Sequence, residues 1–254
     1  MDMYDLKQIE TPRLLIRPPE KGDEIDLYNS ITNSLESLKR WMPWAKETSL
    51  EKTKTTLESN IYEWESRNSK DFPLIVINKE DNKIICDATI LKSSDPKITY
   101  HELGFWVDSR YQGKGLITEL VTALAKFSLE NLNEKRVQLR IQPENTKSIA
   151  VAKRCGFEYE LTLQNACTDC QSDLVDDVKI FSCCDINQLP KIQTKWQNKD
   201  NNNNNIIQNQ KNGDLISRNS TAMSILNTNN LILLPDPNNY LIYNILNKTN
   251  LKSI

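Results

Sequence analysis

The chain has 254 residues, 32 Lys and Arg against 34 Asp and Glu, and a formal net charge of -2. That balance gives no basic footprint for nucleic acid, and no apolar run approaches the length needed to span a bilayer. Six scattered cysteines in a chain this long do not form a disulfide framework, and the acidic start Met1-Asp2-Met3-Tyr4-Asp5 lacks the apolar core of a secretory leader, so a cytoplasmic address with reduced thiols is expected.

Composition divides the chain. Residues 1–188 mix charge, aromatics and aliphatics as a globular domain does, whereas 189–254 are rich in Asn, with an unbroken run from Asn201 to Asn205. Within the first part, Thr11-Pro12-Arg13-Leu14-Leu15-Ile16-Arg17-Pro18-Pro19 reads as a short strand bounded by prolines and is expected at a sheet edge. Ile25, Tyr28 and Ile31 predict a helix over Glu24 to Ile31, and a second amphipathic piece runs from Ser34 to Arg40. Trp41-Met42-Pro43-Trp44 predicts a packed irregular loop, either a plug under the first helices or a wall of a substrate cleft. Leu57, Ile61 and Trp64 predict a surface helix from Ser49 to Arg67 with Ser49 as its cap.

The β-branched run Phe72 to Asn78, the polar turn Lys79 to Lys83 and the run Ile84 to Leu91 form a hairpin. Ser93-Ser94-Asp95-Pro96 precedes a strand over Ile98 to Val107, with Leu103, Phe105 and Val107 on one face and Glu102, Gly104 and Trp106 on the other. From Gly113 to Leu132 the positions Leu116, Leu120, Leu124 and Phe127 mark a long helix buried along one stripe. Val137, Leu139 and Ile141 alternate in the strand after it, so a strand-helix-strand unit with parallel neighbours surrounds the glycines. Asn145 opens a short helix through Arg154 that Gly156 ends, and strands follow over Phe157 to Leu163 and Leu174 to Cys183. Lys191 to Asn212 is too polar to offset chain entropy and is expected to be disordered, while Leu231 to Pro235 and Tyr240 to Tyr243 are β-prone.

Arg110-Tyr111-Gln112-Gly113-Lys114-Gly115-Leu116 carries the chemistry. Two glycines before a helix let backbone N–H groups approach an anion, which the helix N-terminus favours by about 0.3–1 kcal/mol when exposed. Neither a P-loop nor a dinucleotide fingerprint fits: Leu116 follows the second glycine where a Lys-Ser/Thr pair would be needed, and Thr118 stands where a third glycine belongs. A turn that merely joins strand and helix remains an alternative.

Arg110-x-x-Gly113-x-Gly115, with Glu102-Leu103-Gly104-Phe105-Trp106-Val107 before it and Asn145, Ser148 and Cys155-Gly156-Phe157 after it, closely resembles the GNAT superfamily of N-acetyltransferases, in its RimJ/RimL-type branch. The likeness covers roughly Glu10 to Cys184, including Thr11-Pro12-Arg13-Leu14 and Asp177-x-x-x-Phe181. It implies an α/β (α+β) GNAT-like fold, a mixed twisted sheet of about six to seven strands flanked by helices, in residues 1–188, with 189–254 a largely disordered extension. The implied cosubstrate is acetyl-CoA without a metal. The implied acceptor is a primary amine, a ribosomal or other protein N-terminus, with polyamines as the alternative; no nucleic acid and no membrane are expected as partners.

The resemblance further implies that backbone groups of Gln112, Gly113, Lys114, Gly115 and Leu116 hold the pyrophosphate, that Phe105, Trp106 and Val107 lie along the pantetheine, and that Asn145 contacts the CoA arm. Arg110 would add charge at the phosphates or stay solvated. Acyl transfer needs a neutral amine and a proton for the departing thiolate. At pH 7 deprotonation costs about 1 kcal/mol for an α-amine and about 4.6 for lysine. Glu102 resembles the general base acting through water, against a plain strand carboxylate; His101 falls on the opposite face and is assigned a structural or surface role. Many relatives place a tyrosine where this chain has Ala152, so the general acid is carried over to Ser148, against helix capping as its alternative. With Ala152 and the long tail, a catalytically silent acetyl-CoA-binding module is the alternative of a different class. Cys167-x-x-Cys170 with Cys183-Cys184 outlines a zinc site only poorly, since adjacent strand residues face opposite ways, and these are taken as thiols.

Overall fold

The computed structural model of the chain describes residues 2–67, 69, 71–93 and 99–199. Strands β1 (Leu6–Glu10) and β2 (Leu14–Arg17) lead into helices α1 (Glu24–Lys39) and α2 (Leu50–Ser66), then β3 (Asp71–Asn78), β4 (Lys83–Lys92) and β5 (His101–Phe105). After them come α3 (Leu116–Glu130), β6 (Val137–Ile141), α4 (Thr146–Arg154), β7 (Glu158–Thr168), β8 (Val175–Cys183) and β9 (Lys195–Asn198). All the strands join one mixed sheet in the order β7-β8-β6-β5-β4-β3-β2-β1-β9.

Alternation along the strands splits the core into two layers. Leu74, Val76, Ile90, Leu103 and Leu139 pack with Leu120, Leu124 and Phe127 of α3, while Ile75, Ile77, Ile84 and Trp106 pack with Leu27, Ile31 and Leu38 of α1 and Leu57 of α2. Both layers are dry, so the central strands read as nearly continuous apolar runs; β3 is buried from Phe72 to Asn78. Ser49 caps α2 through the Lys52 N–H at 3.2 Å, as its sequence predicts.

Several expectations need correction. The strand of the Thr11 segment is confined to β2, which lies inside the sheet between β1 and β3. Among the described residues the sheet has nine strands, because β1 and β9 add to its far end. Both are short and polar: β1 is interrupted by a bulge, and β9 offers Trp196, which stands edge-on to Phe127 with centroids 6.1 Å apart. Sequence periodicity is too weak to register such strands. β9 also places Lys195–Asn198 in the ordered fold, overturning disorder for that stretch of Lys191 to Asn212. The two amphipathic pieces over Glu24 to Arg40 are one helix. Its mid-helix serines are engaged by tertiary contacts: Ser30 Oγ donates to the Ile84 carbonyl, and Ser34 Oγ accepts the Ser109 N–H at 2.8 Å. The Ser93 to Pro96 turn lies partly outside the described residues, as do Asn201 to Asn205, Leu231 to Pro235 and Tyr240 to Tyr243.

Candidate active site

The site begins where two parallel strands part. β5 and β6 pair only through His101 with Val137 and Glu102 with Gln138. Beyond that point β6 stays with β8 as far as Ile141, whereas the β5 chain stays with β4, the Trp106 N–H donating to the Asp87 carbonyl at 3.3 Å and the Asp108 N–H to Ile85 at 2.7 Å. Because backbone groups alternate direction along a strand, those of Phe105 and Val107 point away from β4 into the gap. This is an open β edge that an extended, amide-bearing ligand can pair with.

The gap runs toward the glycine turn. Gly113 and Gly115 have φ of +75° and +76°, values at which a side chain is strained, and no atom lies within 4 Å of a Cβ built at Gly113. Gly115 is the N-cap of α3 and supplies no side chain to its first turn, so N–H groups there remain for an anion. Two anchors fix the turn. Glu119, buried in the first turn of α3, accepts Thr11 Oγ1 at 2.6 Å, the Arg13 N–H at 3.0 Å and Arg13 Nε at 2.7 Å, and Arg13 Nη1 reaches the Lys114 carbonyl at 2.8 Å. Burial pushes the Glu119 carboxyl up, but these donors outweigh it and hold it below its ordinary range. On the other side, Lys147 Nζ donates to Gln112 Oε1 at 3.0 Å. A cavity of about 330 Å³ lies beside the turn, lined by Arg13, Lys79, Tyr111 and Lys114 among others. In the sequence Arg13 belongs only to a strand motif, and neither Glu119 nor Lys147 is singled out, because nothing local links Arg13 to Glu119 or Gln112 to Lys147, 106 and 35 positions apart.

Arg110 lies beside the turn with its side chain 55% exposed. Its guanidinium is held by the fully buried Asp108, Nη2 to Oδ2 at 2.6 Å. Lys114 places its ammonium 5.0 Å from the Tyr111 ring.

Glu102 is buried, not solvent-facing: Gln138 Nε2 donates to its Oε2 at 2.8 Å, and Arg140 Nε is 3.8 Å from Oε1. Burial pushes this carboxyl up, and the Gln138 bond and the Arg140 charge only partly offset it. His101 faces the other layer, with Nδ1 2.9 Å from Ser128 Oγ; burial and the charge of Lys92 hold its pKa down at about 4, which makes it a neutral core group. Asn145 is the N-cap of α4, its Oδ1 accepting the Ser148 N–H at 3.1 Å, and Ser148 is half-buried in the first turn. Ala152 is fully buried in the α3 layer. Phe105 packs on the α3 layer and Trp106 on the α1 layer, where its ring lies 6.2 Å from that of Trp44. Trp44 sits in a 3-10 turn over Pro43–Glu47 in place of an irregular loop.

The cysteines are free, with Cys183 buried and Cys184 exposed, and among the described residues no group of three or more His, Cys, Asp or Glu is arranged to hold a metal. Among the same residues no helix is long and apolar enough to cross a membrane.

A sheet that splits beside a glycine turn and an uncapped helix N-terminus sets a free strand edge in line with an anion site, an arrangement that suits an extended ligand with an anionic end. Residues 13–158 match the model of the Acetyltransferase (GNAT) domain, and the chain belongs to that family. It is similar to the ribosomal-protein-serine acetyltransferase of Escherichia coli, 27% identical over 157 residues that make up 61% of this chain and 84% of that protein. Among solved structures it resembles RimL, a ribosomal alpha-N-protein acetyltransferase in complex with coenzyme A, with a TM-score of 0.63, 19% identity, and 71% of this chain and 99% of that one covered. It also resembles the self immunity acetyltransferase MccE in complex with acetyl-CoA and AMP, at a TM-score of 0.61 and 23% identity, covering 68% and 93%. The chain is an N-acetyltransferase that uses acetyl-CoA as its cosubstrate.

Proposed function

We propose that this enzyme acetylates the α-amine of a protein or peptide N-terminus by direct attack within a ternary complex. The observation that carries the reading is the open backbone edge of Phe105 and Val107 running into the positive-φ turn at Gly113 and Gly115. Acetyl-CoA supplies the activated acetyl group. Phe105 and Val107 pair with its pantetheine amides and Trp106 buttresses them from the α1 layer. The N–H groups of Gln112, Gly113, Lys114, Gly115 and Leu116 hold the pyrophosphate, and Asn145 contacts the arm while capping α4. Arg110, held by Asp108 with its side chain half exposed, adds charge at the phosphates.

Glu102 takes the proton of the amine through water; burial raises its pKa, which makes it a stronger base than an exposed carboxylate. Ser148 gives a proton to the departing thiolate. An α-amine is the acceptor that asks least of such a base, about 1 kcal/mol at pH 7 against about 4.6 for lysine. The relation to a ribosomal-protein-serine acetyltransferase supports a protein acceptor. An acceptor screen with acetyl-CoA tests the reading, comparing N-terminal peptides, polyamines and free amines. Peptide α-amines are expected to react; failure of every amine while acetyl-CoA still binds would favour a silent binding module.

A further inference from the structure

On the α1 side of the sheet, β4 carries a second carboxylate with no assigned use. Ile77 pairs with Ile84 and Val76 with Cys86, so Ile85 is an extra residue in β4. This bulge turns both Ile85 and Cys86 into the α3 layer and leaves Asp87 on the opposite face, next to Ile75 and Trp106. Asp87 Oδ1 is cut off from solvent, and no donor among the described residues reaches it. An unpaired carboxylate in such a place is costly, and burial alone pushes its pKa up to about 7.

The surroundings show where a partner would come from. Asp87, Thr89 and Leu91 are only half-buried, while their β4 neighbours Ala88 and Ile90 are fully buried in the other layer. The same face of β5 presents Glu102, then Gly104, then Trp106, and Thr89 stands directly opposite Gly104. The result is a shallow trough with a floor of Gly104 and Thr89, a carboxylate at each end, and the β5–β6 gap along one side. Four residues separate its ends, roughly 13 Å along the strand before the side chains reach inward. Glu102 already has Gln138 and Arg140; among the described residues Asp87 Oδ1 has no donor. Trp106, buried beside Asp87 with Trp44 6.2 Å from it, makes that end aromatic, which suits a cation.

We propose that Asp87 binds the acceptor's ammonium group, seating it over Gly104 beside the gap before the proton is removed. The inference rests on the amine-acetylation reading and adds the residue that selects a cationic acceptor.

The test is equilibrium binding to the full chain saturated with CoA. Three probes are used: a serine-led tripeptide amide with a free N-terminus, the same peptide N-acetylated, and spermidine. Wild type is expected to bind the free-amine peptide at least 10-fold more tightly than its acetylated twin. Asp87→Asn, which keeps shape and removes charge, should bring that ratio close to one, with CoA affinity and affinity for the acetylated twin unchanged; Asp87→Ala should do the same. A ratio retained in both variants, or no preference for any free amine in wild type, would overturn the proposal. Preserved amine preference without any acetyl transfer would instead sink the catalytic reading and leave the seat standing.

Discussion

Gln138 Nε2 donates to Glu102 Oε2 across the last residue pair that joins β5 to β6, so the hydrogen bond that positions the candidate base lies at the point where the sheet divides. Beyond this pair the strands separate. Glu102→Gln should lower kcat by roughly 100-fold or more, the scale expected for loss of a positioned base, while leaving acetyl-CoA affinity unchanged. Steady-state kinetics on a confirmed acceptor, with calorimetry on the same variant, checks it; full turnover would remove Glu102 from the chemistry.

The glycine turn separates ligand effects from folding effects. At Gly113 a new Cβ meets no protein atom within 4 Å, but φ is +75°. Gly113→Ala should therefore cost about 1–2 kcal/mol of stability from backbone strain and weaken acetyl-CoA by roughly 10-fold or more. Thermal unfolding and titration calorimetry measure the two separately. Gly115→Glu is a poorer probe, because a side chain there also meets Arg13 Nη2, 3.6 Å from the new Cβ, in the clamp that fixes the turn.

Gly156 offers the opposite case, a glycine required by protein alone. Its φ is +79°, and a Cβ there would stand 2.0 Å from the Gln188 carbonyl oxygen, a backbone atom that cannot swing aside. Gly156→Ala is expected to destabilise the chain by roughly 2–5 kcal/mol, combining overpacking with left-handed strain. Urea unfolding that shows a loss below 1 kcal/mol would contradict this contact.

His101 gives the fold an acid-side weakness. Its folded pKa, about 4, lies below the ordinary 6.5, so the unfolded chain takes up the proton first. The stability its neutral form contributes is whole above pH 6.5 and is lost as pH falls toward 4, by about 2–3 kcal/mol. His101→Gln should flatten that part of the stability–pH curve.

Much of this was legible in the chain itself. The central hairpin, the strand into Gly113, α3, and the Asn145 cap each follow from local patterns: β-branched runs, a 3.6-residue stripe, a capping residue before a periodic segment. What stayed hidden depends on distance. β9 has too few apolar residues to signal a strand, and its place is set by pairing with β1 almost two hundred positions earlier. The Arg13–Glu119 clamp is also remote in sequence, 106 positions apart. The ion pair of Arg110 with Asp108 was hidden too, because Asp108 reveals its burial only in three dimensions. Asp87 escaped notice because one bulge decides which face it joins, and alternation read without the bulge assigns the faces wrongly.

The central claim is that the acceptor is an α-amine, and a competition assay tests it most directly. The full chain with acetyl-CoA is given, at pH 7, a peptide whose only amine is its N-terminus, a matched peptide with a blocked N-terminus and one lysine, and spermidine, and the products are read by mass spectrometry. The account predicts an acetyl group on the free N-terminus, with the lysine peptide and spermidine largely unmodified. Acetylation confined to lysine or spermidine would contradict it.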